Sequence, residues 1–222
     1  MSAIALTFLV SATSAVCPTQ PAQDGPIPAS VVVERSDHLE ELYKSGITFD
    51  AFFDDADRRR ELWVKNYTEG SVAAEMVARV EALEGRWRLL AVAEDWCSDS
   101  VNTVPFLALL AEQASNLEIR ILDSDRGREL MEAHRTPDDR AATPTVLVLD
   151  DDYEDVGCFV ERPADLQAWA LDARPRLPDS EFLVEKMSWY EEDGGVSTVR
   201  EIVEALEAAA AGSPLCAGTE GF

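Results

Sequence analysis

Two short apolar runs constrain this chain most. Trp87–Ala93 reads WRLLAVA and Thr145–Leu149 reads TVLVL, and neither alternates apolar with polar residues. Runs this short and this uniformly apolar suit strands buried on both faces, which requires a sheet covered by other layers on each side. Between them, Leu117–Leu122 (LEIRIL) alternates as a strand does. Residues 98–114 put Val101, Val104, Leu107, Ala108 and Ala111 on one helical face, and residues 126–135 do the same with Leu130 and Met131. After the second run, Asp150–Asp152 supplies a polar turn, Val156–Val160 returns as an antiparallel strand, and Pro163 opens a helix to about Ala173. A helix capped by Ser71 and closed by Gly85 precedes the first run, with Val72, Met76, Val77, Val80 and Leu83 inward. The order over residues 72–173 is therefore α-β-α-β-α-β-β-α. That alternation predicts an α/β protein, a three-layer α/β/α sandwich around a mixed central sheet.

The flanking segments divide by composition. Residues 1–30 read as a disordered start and proline-rich linker, and residues 31–70 as a helical extension of two or three short helices carrying Leu39, Leu42, Tyr43, Phe52, Phe53, Leu62, Trp63 and Tyr67. The central domain spans 71–175. Pro175 and Pro178 break the chain before a C-terminal helical extension over 176–211, with helices near 179–192 and 197–211, and residues 212–222 read as a flexible tail. Residues 1–16 are apolar and small but lack a basic start. The cytoplasm is the expected location, with export as the alternative if this segment acts as a signal peptide.

Charge excludes several functions. Nineteen Lys and Arg face 43 Asp and Glu, a formal net charge of -24, which disfavours nucleic acid and anionic membrane surfaces as partners. No stretch approaches the roughly 20 apolar residues of a membrane span. Four cysteines, Cys17, Cys97, Cys158 and Cys216, form no CxxC pair, and the only histidines are His38 and His134, the latter read as a surface residue. No metal site and no cofactor are expected from that set. The oligomeric state is open.

Chemistry concentrates in Glu94-Asp95-Trp96-Cys97-Ser98-Asp99-Ser100, where a buried strand gives way to a helix. Free N–H groups at a helix start favour a thiolate, the nucleophilic form of cysteine. Glu94, Asp95 and Asp99 oppose it by adding negative charge, and are also candidates for acid/base work. With Pro105 eight residues after Cys97, and Thr143-Pro144 just before the TVLVL run, the segment resembles the thioredoxin superfamily. The likeness is to a thioredoxin-like group with a Glu-Asp-Trp-Cys-x-Asp site, continued here by Asp125, Glu129-Leu130-Met131 and Arg162-Pro163. The resemblance implies a thioredoxin-like fold with Cys97 as the attacking cysteine and Trp96 as the flanking aromatic. It implies that Pro144 is a cis-proline holding the Thr143 backbone for substrate.

Two departures define the chemistry. Ser100 stands where a dithiol enzyme keeps its resolving cysteine, and Ala91 where thioredoxins bury an acid. The resemblance then implies monothiol (CxxS) exchange through Cys97, aided by Ser100, with a protein or small-molecule thiol or disulfide as partner. Cys158 and Cys216 are alternative resolving thiols. Two other readings stay open: a non-catalytic binding module that has lost dithiol activity, and a scaffold that associates through its C-terminal helices.

Overall fold

A computed structural model describes residues 29–217. The apolar runs form the centre of a mixed five-stranded sheet in the order β2-β1-β3-β4-β5. The strands are β1 (Trp87–Val92), β2 (Leu117–Leu122), β3 (Thr145–Leu149), β4 (Asp155–Val160) and β5 (Leu215–Ala217). β1 runs parallel to β2 and antiparallel to β3; β4 runs antiparallel to β3 and parallel to β5. Ile47 adds a bridge to Ile121 outside β2, each N–H donating to the other's carbonyl at 2.9 Å.

Both central strands are buried on two sides, as their composition requires. Leu89 and Ala91 of β1 and Val146 and Val148 of β3 point into one apolar cluster, while Leu90, Val92, Leu147 and Leu149 point into another. The period-2 geometry of a strand sends neighbours to opposite faces, so a continuous apolar run feeds two cores. The first face carries α2 (Phe49–Asp55), α3 (Arg60–Thr68), α4 (Ala74–Glu81), α5 (Ser100–Gln113) and α9 (Val196–Ala210). The second carries α1 (Ala29–Ser45) and α6 (Arg128–Ala133). α7 (Ala164–Ala173) and α8 (Asp179–Asp193) share a smaller cluster of Ala170, Ala173 and Phe182.

Several expectations need correcting. Ser71 caps nothing: Ala73 occupies the cap position of α4, with no side-chain bond. α1 begins at Ala29, inside the expected linker; the rest of that linker and the suggested signal segment lie outside the described residues. Residues 215–217 are no loose tail, because they pair with Gly157–Phe159 and Cys216 is disulfide-bonded to Cys158. The C-terminal helical extension packs onto the domain: Ile202, Val203 and Leu206 of α9 are fully buried in the main core. His134 is mostly covered, its Nε2 3.0 Å from Asp155.

Pro105 shows how one residue reaches across elements. It sits inside α5 and has no N–H, so the Val101 carbonyl loses its partner within the helix. The Asn66 side chain of α3 supplies one at 2.8 Å.

Gly195 closes the turn from α8 to α9 with φ of 82°, and a Cβ there would come within 2.2 Å of the Phe106 ring. Gly195→Ala combines a left-handed conformation with a core clash, and is expected to destabilise the chain by more than about 1 kcal/mol in urea unfolding. The buried Glu201 carboxylate accepts from the Ala164 N–H at the start of α7. Burial pushes its pKa up to about 7, from 4.5. The folded state therefore holds the proton more tightly than the unfolded chain, and stability present below pH 4.5 is lost as the pH rises through 7. Glu201→Gln should remove that slope, worth on the order of 3 kcal/mol, when unfolding is compared at the two ends of the window.

Candidate functional site

β1 ends at Val92, which pairs with Thr145 at the start of β3. That register brings the loop after β1 against the loop before β3, although they are far apart in sequence. Cys97 lies in the first loop, 8% exposed, and its Sγ–H donates to the Thr143 carbonyl at 3.1 Å. The Thr143–Pro144 peptide bond is cis. The Pro144 carbonyl accepts from the Glu161 N–H at 2.7 Å, which ties this loop to the end of β4. Trp96 stands beside the thiol with half its surface in solvent.

Ser100 begins α5, and its backbone N–H points at Cys97 Sγ from 3.4 Å. The hydroxyl is placed differently: its oxygen accepts from the Glu94 N–H at 3.4 Å. The main chain of Ser100 is thus the group that meets the sulfur, and its hydroxyl braces the loop.

The three acids are each committed elsewhere. Glu94 accepts from the Ser124 N–H at 2.8 Å and from the Ser124 hydroxyl at 2.5 Å. Asp95 accepts from the N–H groups of Asp57 at 3.1 Å and Arg58 at 2.8 Å, while its carbonyl takes the Trp63 indole N–H at 3.0 Å. These two carboxylates secure loops, where acid/base work had been their candidate role. Asp99 is buried and receives Lys186 Nζ at 2.7 Å and the Tyr190 hydroxyl at 2.8 Å, with Arg162 Nε at 3.5 Å. Burial first, then the Asp99 charge, raises the Tyr190 pKa well above its usual value, so the phenol stays a donor.

Lys186 and Tyr190 went unnoticed in the sequence because nothing near Cys97 in the chain announces them. The available signal was the spacing of Phe182, Lys186 and Tyr190, four residues apart on one stripe of α8, all buried. The disulfide removes Cys158 and Cys216 as resolving thiols, and leaves Cys97 as the free cysteine among the described residues. Among those residues, no three of His, Cys, Asp or Glu are grouped to hold a metal ion, and no helix is long and apolar enough to cross a membrane. A cavity of about 790 Å³ opens between α7, α8 and the end of β4; Asp99, Arg140, Arg162, Gln167 and Lys186 line it, but Cys97 does not.

A mixed sheet between helical layers, with a cysteine at a helix start facing a proline loop, defines a thioredoxin-fold protein. The sequence profile of a family described as thioredoxin matches residues 46–176, more than half the chain, and the chain belongs to that family. Among solved structures, it is similar to a protein of unknown function from Pseudomonas aeruginosa. That match has 22% identity and a TM-score of 0.61, covering 77% of this chain and 97% of the other. An HIV epitope-scaffold gives 22% identity and a TM-score of 0.59, covering 76% and 97%. Both show likeness of fold. No curated protein matches the chain.

If Glu94 and Asp95 anchor loops, their replacement should cost stability and leave the thiol chemistry alone. Asp95→Ala is expected to lose about 1 kcal/mol in urea unfolding. The pH midpoint for alkylation of Cys97 should move by less than about 0.3 unit, since the Asp95 carboxylate is already bound by two backbone N–H groups and is only partly buried.

Proposed function

We propose that this chain carries out monothiol thiol–disulfide exchange at Cys97. The Cys97 thiolate attacks one sulfur of a disulfide on a protein or small molecule. A bond forms between Cys97 and that sulfur, and the other sulfur leaves as a thiolate. An external thiolate then attacks the mixed disulfide and returns Cys97 as a thiolate, so oxidation of the external thiol balances reduction of the substrate. The observation that carries this reading is the position of Cys97 Sγ, between the Thr143 carbonyl and the Ser100 N–H at the start of α5. Ser100 at the resolving position and the Cys158–Cys216 disulfide favour release by an outside thiol. The disulfide also suits an oxidising compartment, which favours export over the cytoplasm.

The second reading, a binding module without catalysis, is favoured by the low exposure of Cys97 next to an exposed Trp96. It needs only the surface between Trp96 and Pro144 for an extended segment.

Alkylation with iodoacetamide, followed at each cysteine by peptide mass spectrometry, separates the two. Monothiol exchange expects Cys97 at neutral pH to react roughly tenfold or more faster than a free thiol of ordinary pKa, and expects Cys97→Ser to abolish mixed-disulfide formation. A Cys97 no faster than a model thiol, with partner binding unchanged in Cys97→Ser, would establish the binding module instead.

A further inference from the structure

α8 lies beyond residues 46–176, the part matched to the family. Yet it reaches the thiol loop with two buried polar side chains one helical turn apart. Lys186 Nζ donates to Asp99 Oδ2 at 2.7 Å and to Ser98 Oγ at 2.8 Å, and the Tyr190 hydroxyl donates to Asp99 Oδ1 at 2.8 Å. Lys186 and Asp99 are each only 5% exposed. A buried ammonium and a buried carboxylate are tolerated when each satisfies the other, and removing one partner strands the other's charge.

Asp99 is two residues from Cys97 in the chain, and Lys186 also binds Ser98, the residue next to the thiol. An uncompensated Asp99 carboxylate there would oppose the negative charge that a Cys97 thiolate must carry. Arg162 cannot replace Lys186 fully: its guanidinium also pairs with Glu161, and its Nε stands 3.5 Å from Asp99. The geometry points to α8 as part of the reactive site, with Lys186 a positioning residue that neutralises Asp99, so that the helix-start N–H groups dominate the field at Cys97. This deepens the exchange reading, on which its functional meaning rests.

The groups facing the pair are few. α8 contributes Lys186 and Tyr190, and the loop leading into α5 contributes Ser98, Asp99 and Cys97 itself. The end of β4 contributes Glu161 and Arg162, and Arg140 binds Glu161 from behind. Glu94 and Asp95 are turned to Ser124 and to the 57–58 backbone.

The test is the pH dependence of Cys97 alkylation by iodoacetamide in the full chain, resolved from the other cysteines by peptide mass spectrometry. Lys186→Met, Asp99→Asn and the double variant are compared with the parent, and thermal unfolding is followed for each. Lys186→Met should raise the midpoint by about one pH unit, a loss of about five- to tenfold in rate at neutral pH. Asp99→Asn alone, which leaves the ammonium unopposed, should lower the midpoint. The double variant should return to within about 0.3 unit of the parent, as removing both members of a pair restores the balance. A purely mechanical clamp predicts instead that the double variant is no better than Lys186→Met, and that result would overturn the proposal. Should Lys186→Met not fold, an unchanged midpoint in Asp99→Asn would overturn it equally. A parent thiol of ordinary reactivity would count against exchange, while the shifts between variants would still decide the pairing.

Discussion

The antiparallel pairing of β1 with β3 is what the site depends on. Val92 opposite Thr145 brings together the ends of two strands that lie more than fifty residues apart, and the loops beyond them meet as a consequence. The thiol comes from one loop and the carbonyl it contacts from the other. A slip of one residue would turn each buried face of the strand to the opposite cluster. Register is held because Leu89 and Ala91 and, alternately, Leu90 and Val92 fill two different cores. The double burial that makes the strands legible also fixes the geometry at Cys97.

Charge is handled by commitment to partners. In a chain with 43 acidic residues, Cys97 is flanked in sequence by Glu94, Asp95 and Asp99, three negative charges that the sequence leaves unanswered. Each carboxylate instead has a partner of its own: Ser124, the 57–58 backbone, and the Lys186–Tyr190 pair. Two of the three carboxylates, Glu94 and Asp95, accept from backbone N–H groups and so hold neighbouring loops as well as the charge. Trp63, fully buried, adds its indole N–H to the same loop, which makes the N-terminal helices part of the support for the thiol.

The C-terminal third of the chain belongs to the domain in two senses. α9 fills the main core with Ile202, Val203 and Leu206, and β5 extends the sheet beyond β4. α8 closes over the start of α5 and reaches it with Lys186, one of the few lysines in the chain. Gly194 and Gly195, both at positive φ, let α8 and α9 fold back at this angle against Phe106.

The chain by itself determined that there is a mixed central sheet, where its first four strands fall along the sequence, and that Cys97 comes just before a helix. Those follow from local patterns: apolar runs too short for a helix, periodicity that switches from strand to helix, and proline at helix boundaries. Pairing across the fold was not legible. Cys158 and Cys216 are 58 residues apart and only the β4–β5 pairing joins them; β5 itself is three residues long and carries no strand pattern. The partners of Asp99 come from a helix more than eighty residues away. Ser100 could be recognised as the residue in place of a second sulfur, but not that its N–H would face the thiol while its hydroxyl turned to Glu94. Periodicity reports which face of an element is buried; only the tertiary structure decides which charged groups share that burial, because a buried charge is stabilised by contacts made in space and leaves no mark at its own place in the chain.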